Sequence, residues 1–81
     1  MKMKRLLVLG AGCPQCTKLR KTAEAAVRRL GIDATVEQTG DLSVILTFDV
    51  LLTPALVIDG AVKVVGRVPS ADEIQRLLKE T

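Results

Sequence analysis

The only two cysteines of the chain, in Cys13-Pro14-Gln15-Cys16, stand where one hydrophobic pattern gives way to another. Before them, Leu6-Leu7-Val8-Leu9 is continuously apolar, the pattern of a strand covered on both faces. After them, apolar or small residues recur at Cys16, Leu19, Ala23, Ala26, Val27 and Leu30, which is helical spacing. The pair therefore marks a strand-to-helix junction, the opening of a βαβ unit. A CxxC at such a junction is a redox couple or half of a metal site, and the rest of the chain must decide which.

Gly10-Ala11-Gly12 breaks the first apolar run. A dinucleotide loop would need a third glycine at position 15, where Gln15 stands, so that reading is set aside. Pro14 suits a first helical turn, where its missing N–H would have had no partner. The helix is expected over Pro14–Leu30, with Lys18, Lys21, Arg28 and Arg29 mainly off its apolar face. Gly31 is placed to end it in a left-handed conformation. Ile32, Ala34 and Val36 then alternate with Asp33, Thr35 and Glu37, as in a half-buried strand. Gly40-Asp41 punctuates, and Asp41 is a suitable cap for a short helix over Leu42–Phe48. Asp49 is suited to end that helix in a left-handed conformation.

Thr53-Pro54 leads into a second fully apolar strand, Ala55-Leu56-Val57-Ile58. Asp59-Gly60 signals a two-residue hairpin, with Ala61 to Val65 as the returning strand. Ser70 and Glu73 have the spacing of a capping box. The last helix is expected to run to about Lys79 with Ile74, Leu77 and Leu78 inward. The order β-α-β-α-β-β-α gives an α/β fold, a four-stranded mixed sheet with helices on both faces. Its first βαβ unit should cross over right-handed. Residues 1–81 are one domain, with no room for a second core.

Composition narrows the chemistry. Phe48 is the only aromatic residue, and His, Trp and Tyr are absent. Metal sites that need imidazole and a Cys–His nucleophile pair are both excluded. Much of the +3 net charge sits in Lys18–Arg29, without the aromatics or docking motif that nucleic-acid binding would want. It reads as the wet face of a helix. The basic start, Met1-Lys2-Met3-Lys4-Arg5, precedes an apolar run too short for a signal peptide, and no segment is long enough to span a bilayer. The expected location is cytoplasmic. In a reducing cytosol a close cysteine pair is more often catalytic or metal-binding than structural.

With Cys13 as the last residue before the helix, its sulfur meets unpaired N–H groups and the positive end of the helix dipole. Both favour the thiolate. Cys16 lies one turn on and points towards the protein body. Cys13 is then the exposed nucleophile and Cys16 the shielded resolving thiol. Attack on a disulfide by the first gives a mixed disulfide that the second releases. A clasp across so short a loop would constrain the unfolded chain little, which argues against a purely structural disulfide. Taken alone, Thr53-Pro54 would be an ordinary trans bond, and Arg67 either a solvated arginine or a contact for an anionic partner.

Together these features resemble the thioredoxin/glutaredoxin superfamily across essentially the whole chain. The resemblance rests on Cys13-Pro14-Gln15-Cys16 after the first strand, Thr53-Pro54 before the third, the Asp59-Gly60 hairpin and the helical end. The run Thr53–Gly60 and the later Gly66-Arg67-Val68-Pro69-Ser70 are similar to the compact group called redox-active disulfide protein 2. The resemblance implies a thioredoxin-like fold and a thiol–disulfide oxidoreductase with Cys13 attacking and Cys16 resolving. It implies no cofactor beyond the Cys13–Cys16 disulfide itself. It implies that Pro54 is cis and packs beside the disulfide, and that the Thr53 backbone pairs with an extended substrate segment. Gly12, Pro14, Gln15, Thr53, Pro54 and Arg67 form the implied substrate surface. Protein disulfides and a dithiol or thioredoxin-reductase-like electron donor are the implied partners.

The chain also departs from the pattern it resembles. Thioredoxins usually place Trp before the first cysteine and Gly-Pro between the two; here Gly12 precedes and Pro14-Gln15 intervenes. Thioredoxins bury an acid under the second cysteine; Leu6–Leu9 offers none, which leaves water or nothing as the base for Cys16. Ala11 and Gly12 lack the charge that glutaredoxins use near the motif, and only Gly66 and Asp72 echo the rest of their glutathione site. Glutathione is therefore in doubt as a partner. Two other functions compete. A soft-metal (copper or zinc) protein would use the CxxC as ligands. Small copper chaperones, however, carry Met where Ala11 stands and end in a strand, and zinc would need two further ligands. Alternatively the domain is a partner-binding module in which redox turnover is incidental.

Overall fold

The computed structural model describes residues 4–80. Met1, Lys2, Met3 and Thr81, the ends of the expected 1–81 domain and most of its basic start, lie outside the described residues. The elements are β1 (Lys4–Leu9), α1 (Pro14–Leu30), β2 (Ala34–Thr39), α2 (Leu42–Thr47), β3 (Ala55–Ile58), β4 (Ala61–Val65) and α3 (Ala71–Glu80). The strands lie in the order β2-β1-β3-β4. β1 runs parallel to β2, and β3 is antiparallel to both β1 and β4. The two continuously apolar strands, β1 and β3, thus occupy the middle of the sheet, where both faces are covered.

Alternation assigns the faces. Leu6, Val8, Leu56, Ile58 and Val64 meet Leu19, Ala23 and Ala26 of α1 and Ile74 and Leu78 of α3. Leu7, Leu9, Ala55, Val57 and Val62 turn the other way, towards Val44, Ile45, Phe48 and Val50 around α2. Helices therefore cover both faces, as the element order requires. Val62 and Val64 are two residues apart yet serve opposite cores. The pairing shifts between Leu56–Val64 and Val57–Val62, so that Lys63 is the extra residue of a bulge. The larger core is wholly aliphatic, and truncating a fully covered residue such as Leu19 to Ala should cost about 2–5 kcal/mol.

The ends of the elements follow their local chemistry. Gly31 takes φ 63° and donates to the Val27 and Arg28 carbonyls, ending α1. The Asp41 carboxylate accepts from the Ser43 N–H at 2.9 Å and caps α2. Asp49 follows that helix with φ 57°. Asp59 and Gly60, at φ 50° and 85°, form the two-residue turn between β3 and β4.

Several details differ from the sequence reading; α2, for one, ends at Thr47, and Phe48 caps it. β2 starts at Ala34 rather than Ile32 and extends to Thr39. Its start is fixed where Lys4 N–H reaches the Asp33 carbonyl at 3.0 Å, and its end where Gly10 N–H reaches the Thr39 carbonyl at 2.7 Å. Ile32 instead packs against the larger core. The capping box is only half made. Glu73 N–H donates to Ser70 Oγ at 3.1 Å, but the Glu73 carboxylate turns away to Arg67.

Candidate active site

β1 ends at Leu9, three residues cross the top of the sheet, and Cys13 caps α1 in an extended conformation at φ −127° and ψ 151°. That backbone turns the Cys13 sulfur back over the first turn, where it accepts the Cys16 N–H at 3.2 Å. Pro14 opens the helix, and the first turn holds no acidic residue to oppose an anion. Cys13 is half-buried, whereas Cys16 is only 1% exposed. Both are free thiols.

This geometry splits the pair electrically. The Cys13 thiol is held below its ordinary range, first by the hydrogen bond from the Cys16 side chain and then by the N–H groups of Cys16 and Gln15. Cys16 is pushed up to about 11, mainly by burial, then by donating to Cys13 and by the Cys13 charge. The first proton leaves the couple readily from the exposed sulfur, and the second is held on the covered one.

Gly10 explains why Cys16 can be so covered. A Cβ on Gly10 would lie 2.7 Å from Cys16 Sγ and 3.0 Å from Thr53 Cβ. Its φ of 119° also lies where side chains are strained. The bare Cα of Gly10 is thus one wall of the Cys16 pocket, with Thr53 close behind. The end of β2 holds this wall in place. Gln38 Nε2 donates to the Gly10 carbonyl at 2.9 Å, while Gly10 N–H donates to Thr39. A Cβ on Gly40 would come within 2.8 Å of Ala11 Cβ, so the two loops touch. Sequence reasoning missed Gly10, Gln38 and Gly40 as site residues. Gly10 carried a signal, a glycine at the strand end three residues before the first cysteine. Gln38, distant in sequence, carried none.

The Thr53–Pro54 peptide is cis, with Thr53 exposed and Pro54 buried. The Pro54 carbonyl accepts from Gly66 N–H at 2.7 Å, tying the loop to the end of β4. Leu51 and Leu52, 88% and 63% exposed, lead into Thr53. With Gly10, Ala11, Leu42 and Leu46, Leu51 and Thr53 line a groove of about 430 Å³. The structure therefore brings Cys16 and Thr53 together around Gly10, with the Cys13 sulfur on the Cys16 N–H. Gly12, Pro14 and Gln15 are exposed along the same turn. Arg67 is engaged elsewhere, as its guanidinium forms a two-pronged bond with Glu73, with Nη1 to Oε1 at 3.0 Å. Among the described residues no polar or charged side chain is buried, so no carboxylate lies beneath Cys16. Nor do three His, Cys, Asp or Glu side chains converge among them.

Comparison with known proteins gives concordant matches. A family profile described as a thioredoxin domain matches residues 4–79. A protein named thioredoxin from Methanothermobacter thermautotrophicus is 40% identical over 76 residues, covering 94% of this chain and 99% of that protein. One of the same name from Methanocaldococcus jannaschii is 35% identical over 72 residues, covering 89% of this chain and 83% of that protein.

Proposed function

This chain belongs to the thioredoxin family, and from that premise we propose that it exchanges a Cys13–Cys16 dithiol for a disulfide with protein substrates. The observation that carries the reading is the asymmetry of the couple, a half-exposed Cys13 sulfur stabilised at the helix start beside a covered Cys16 thiol.

The Cys13 thiolate attacks one sulfur of a substrate disulfide. A Cys13–substrate bond forms, the substrate S–S bond breaks, and the other substrate sulfur leaves as a thiolate that takes up a proton. Cys13 has then lost its charge and no longer accepts from Cys16. Two of the three causes that raise Cys16 are thereby removed, leaving burial. Cys16 gives its proton to water and attacks the Cys13 sulfur, and the Cys13–substrate bond breaks. The Cys13–Cys16 disulfide forms and the second substrate thiol is released. Two electrons have passed from the dithiol to the substrate, and a dithiol or reductase donor returns them.

In this reading the exposed Thr53 backbone aligns an extended substrate segment, with Pro54 against the couple and Gly12, Pro14 and Gln15 framing the attack. Arg67 would have to leave Glu73 to meet an anionic partner, and glutathione is a poor fit to the uncharged Ala11-Gly12 approach. The reducing cytoplasm suits such a cycle. No helix among the described residues is long and apolar enough to cross a membrane. In the test, the oxidised protein should accept electrons from dithiothreitol or a thioredoxin reductase, and the reduced form should cleave insulin disulfides. A couple that cannot cycle in either assay would sink the proposal.

A further inference from the structure

The α1 side of the couple differs from the leucine-lined side. A groove of about 440 Å³ runs from Pro14 along Thr17, Lys18, Lys21, Thr22 and Ala25, with Ala71 at the start of α3 as its opposite bank. These α1 positions recur at intervals of three and four, so they form one helical face that begins next to Cys13. Lys18 and Lys21 are exposed, and neither has a carboxylate partner among the described residues. The neighbouring acids are engaged elsewhere. Glu24 faces Arg20 at 4.0 Å, Asp72 faces Arg29 at 3.7 Å, and Glu73 holds Arg67. No Asp or Glu precedes Glu24 anywhere in the chain. The groove thus combines two unneutralised cations with the positive end of α1.

We propose that this groove receives an acidic segment of the protein whose disulfide is exchanged at Cys13, with Lys18 and Lys21 meeting its carboxylates. The proposal rests on reading Cys13 as the attacking thiol. Exposed pairs of this kind act on encounter more than on final affinity, and salt weakens them because the screening length is about 10 Å at 0.1 M. The groove should therefore set which disulfides react fast.

Two synthetic peptides with the same disulfide, one flanked by Glu and Asp and the other by Ser, test this on the full reduced chain. At low salt the acidic peptide should oxidise the protein about five- to tenfold faster than the Ser peptide, and the advantage should shrink at high salt. Lys18→Glu/Lys21→Glu should abolish or reverse that advantage, read as the ratio of the acidic-peptide rate to the Ser-peptide rate within the same variant. Arg28→Glu/Lys79→Glu, the same charge change away from the groove, should keep most of it. The groove assignment is overturned if the acidic peptide has no advantage, or if the control pair removes it equally, since net charge alone would then be acting. Failure of even the Ser peptide to react with the wild-type chain would take down the redox reading and this one together.

Discussion

Two turns at opposite ends of the central strands each contain a glycine with positive φ, for different physical reasons. At the far end, Gly60 completes the β3–β4 hairpin at φ 85°, and a Cβ there would meet nothing within 4 Å. The requirement is torsional, and the turn is secured by Asp59, which accepts from Arg5 N–H at 2.9 Å and donates its own N–H to the Arg5 carbonyl at 2.8 Å. At the near end, Gly10 combines φ 119° with a Cβ position already taken up by Cys16 Sγ and Thr53. There the requirement is for missing atoms. A Cβ would meet open space at one turn, whereas the other leaves room for the Cys16 sulfur.

The contrast can be tested by substitution. The largest effects belong to the couple. Cys13→Ser should abolish turnover, whereas Cys16→Ser should complete the first exchange and accumulate mixed disulfides on Cys13, read by intact mass without reductant. Mixed disulfides formed through Cys16 in the Cys13→Ser protein would reverse the assigned roles. Next, Gly10→Ala should slow release of a mixed disulfide about tenfold or more, equivalent to about 1.4 kcal/mol of barrier. It should also cost about 1–3 kcal/mol in urea unfolding, as an overpacked site does. Wild-type release in a folded Gly10→Ala protein would show that the wall yields. Gly60→Ala should cost about 1–2 kcal/mol for its left-handed torsion, yet leave the release rate alone.

The smallest effect is at Asp59, whose carboxyl is held below its ordinary range chiefly by the Arg5 N–H, with Lys4 adding to it. A depressed folded value gives stability that is present above the ordinary carboxylate pKa and lost as pH falls through the folded value. The melting-temperature gap between wild type and Asp59→Asn should accordingly close on acidification. A gap that widens in acid would contradict this assignment.

Much of this architecture was legible in the sequence because it depends on local rules. The helical spacing of Leu19, Ala23 and Ala26, the Asp59-Gly60 turn and the Asp41 cap each state their geometry within a few residues. Cys13 was legible for the same reason, since Pro14 fixes where the helix begins. What escaped depends on contacts between distant segments. The clamp from Gln38 to Gly10 spans 28 residues and leaves no periodic trace. Gly10 and Gly12 read in the sequence only as a break after the first strand, and only the nearness of Cys16 Sγ shows what Gly10 is for. The β4 bulge was hidden too, because Val62 and Val64 carry the spacing of one face and serve two. The engagement of Glu73 by Arg67 rather than by the cap was decided by the approach of the β4 end to α3.

The most direct test of the asymmetry is alkylation of the reduced protein with iodoacetamide across pH, with the label mapped to each cysteine. Cys13 should label first, its rate rising at a pH below that of an ordinary thiol, while Cys16 should rise only towards its value of about 11. Labelling of Cys16 at lower pH than Cys13, or a common rise at the ordinary thiol value, would contradict the account.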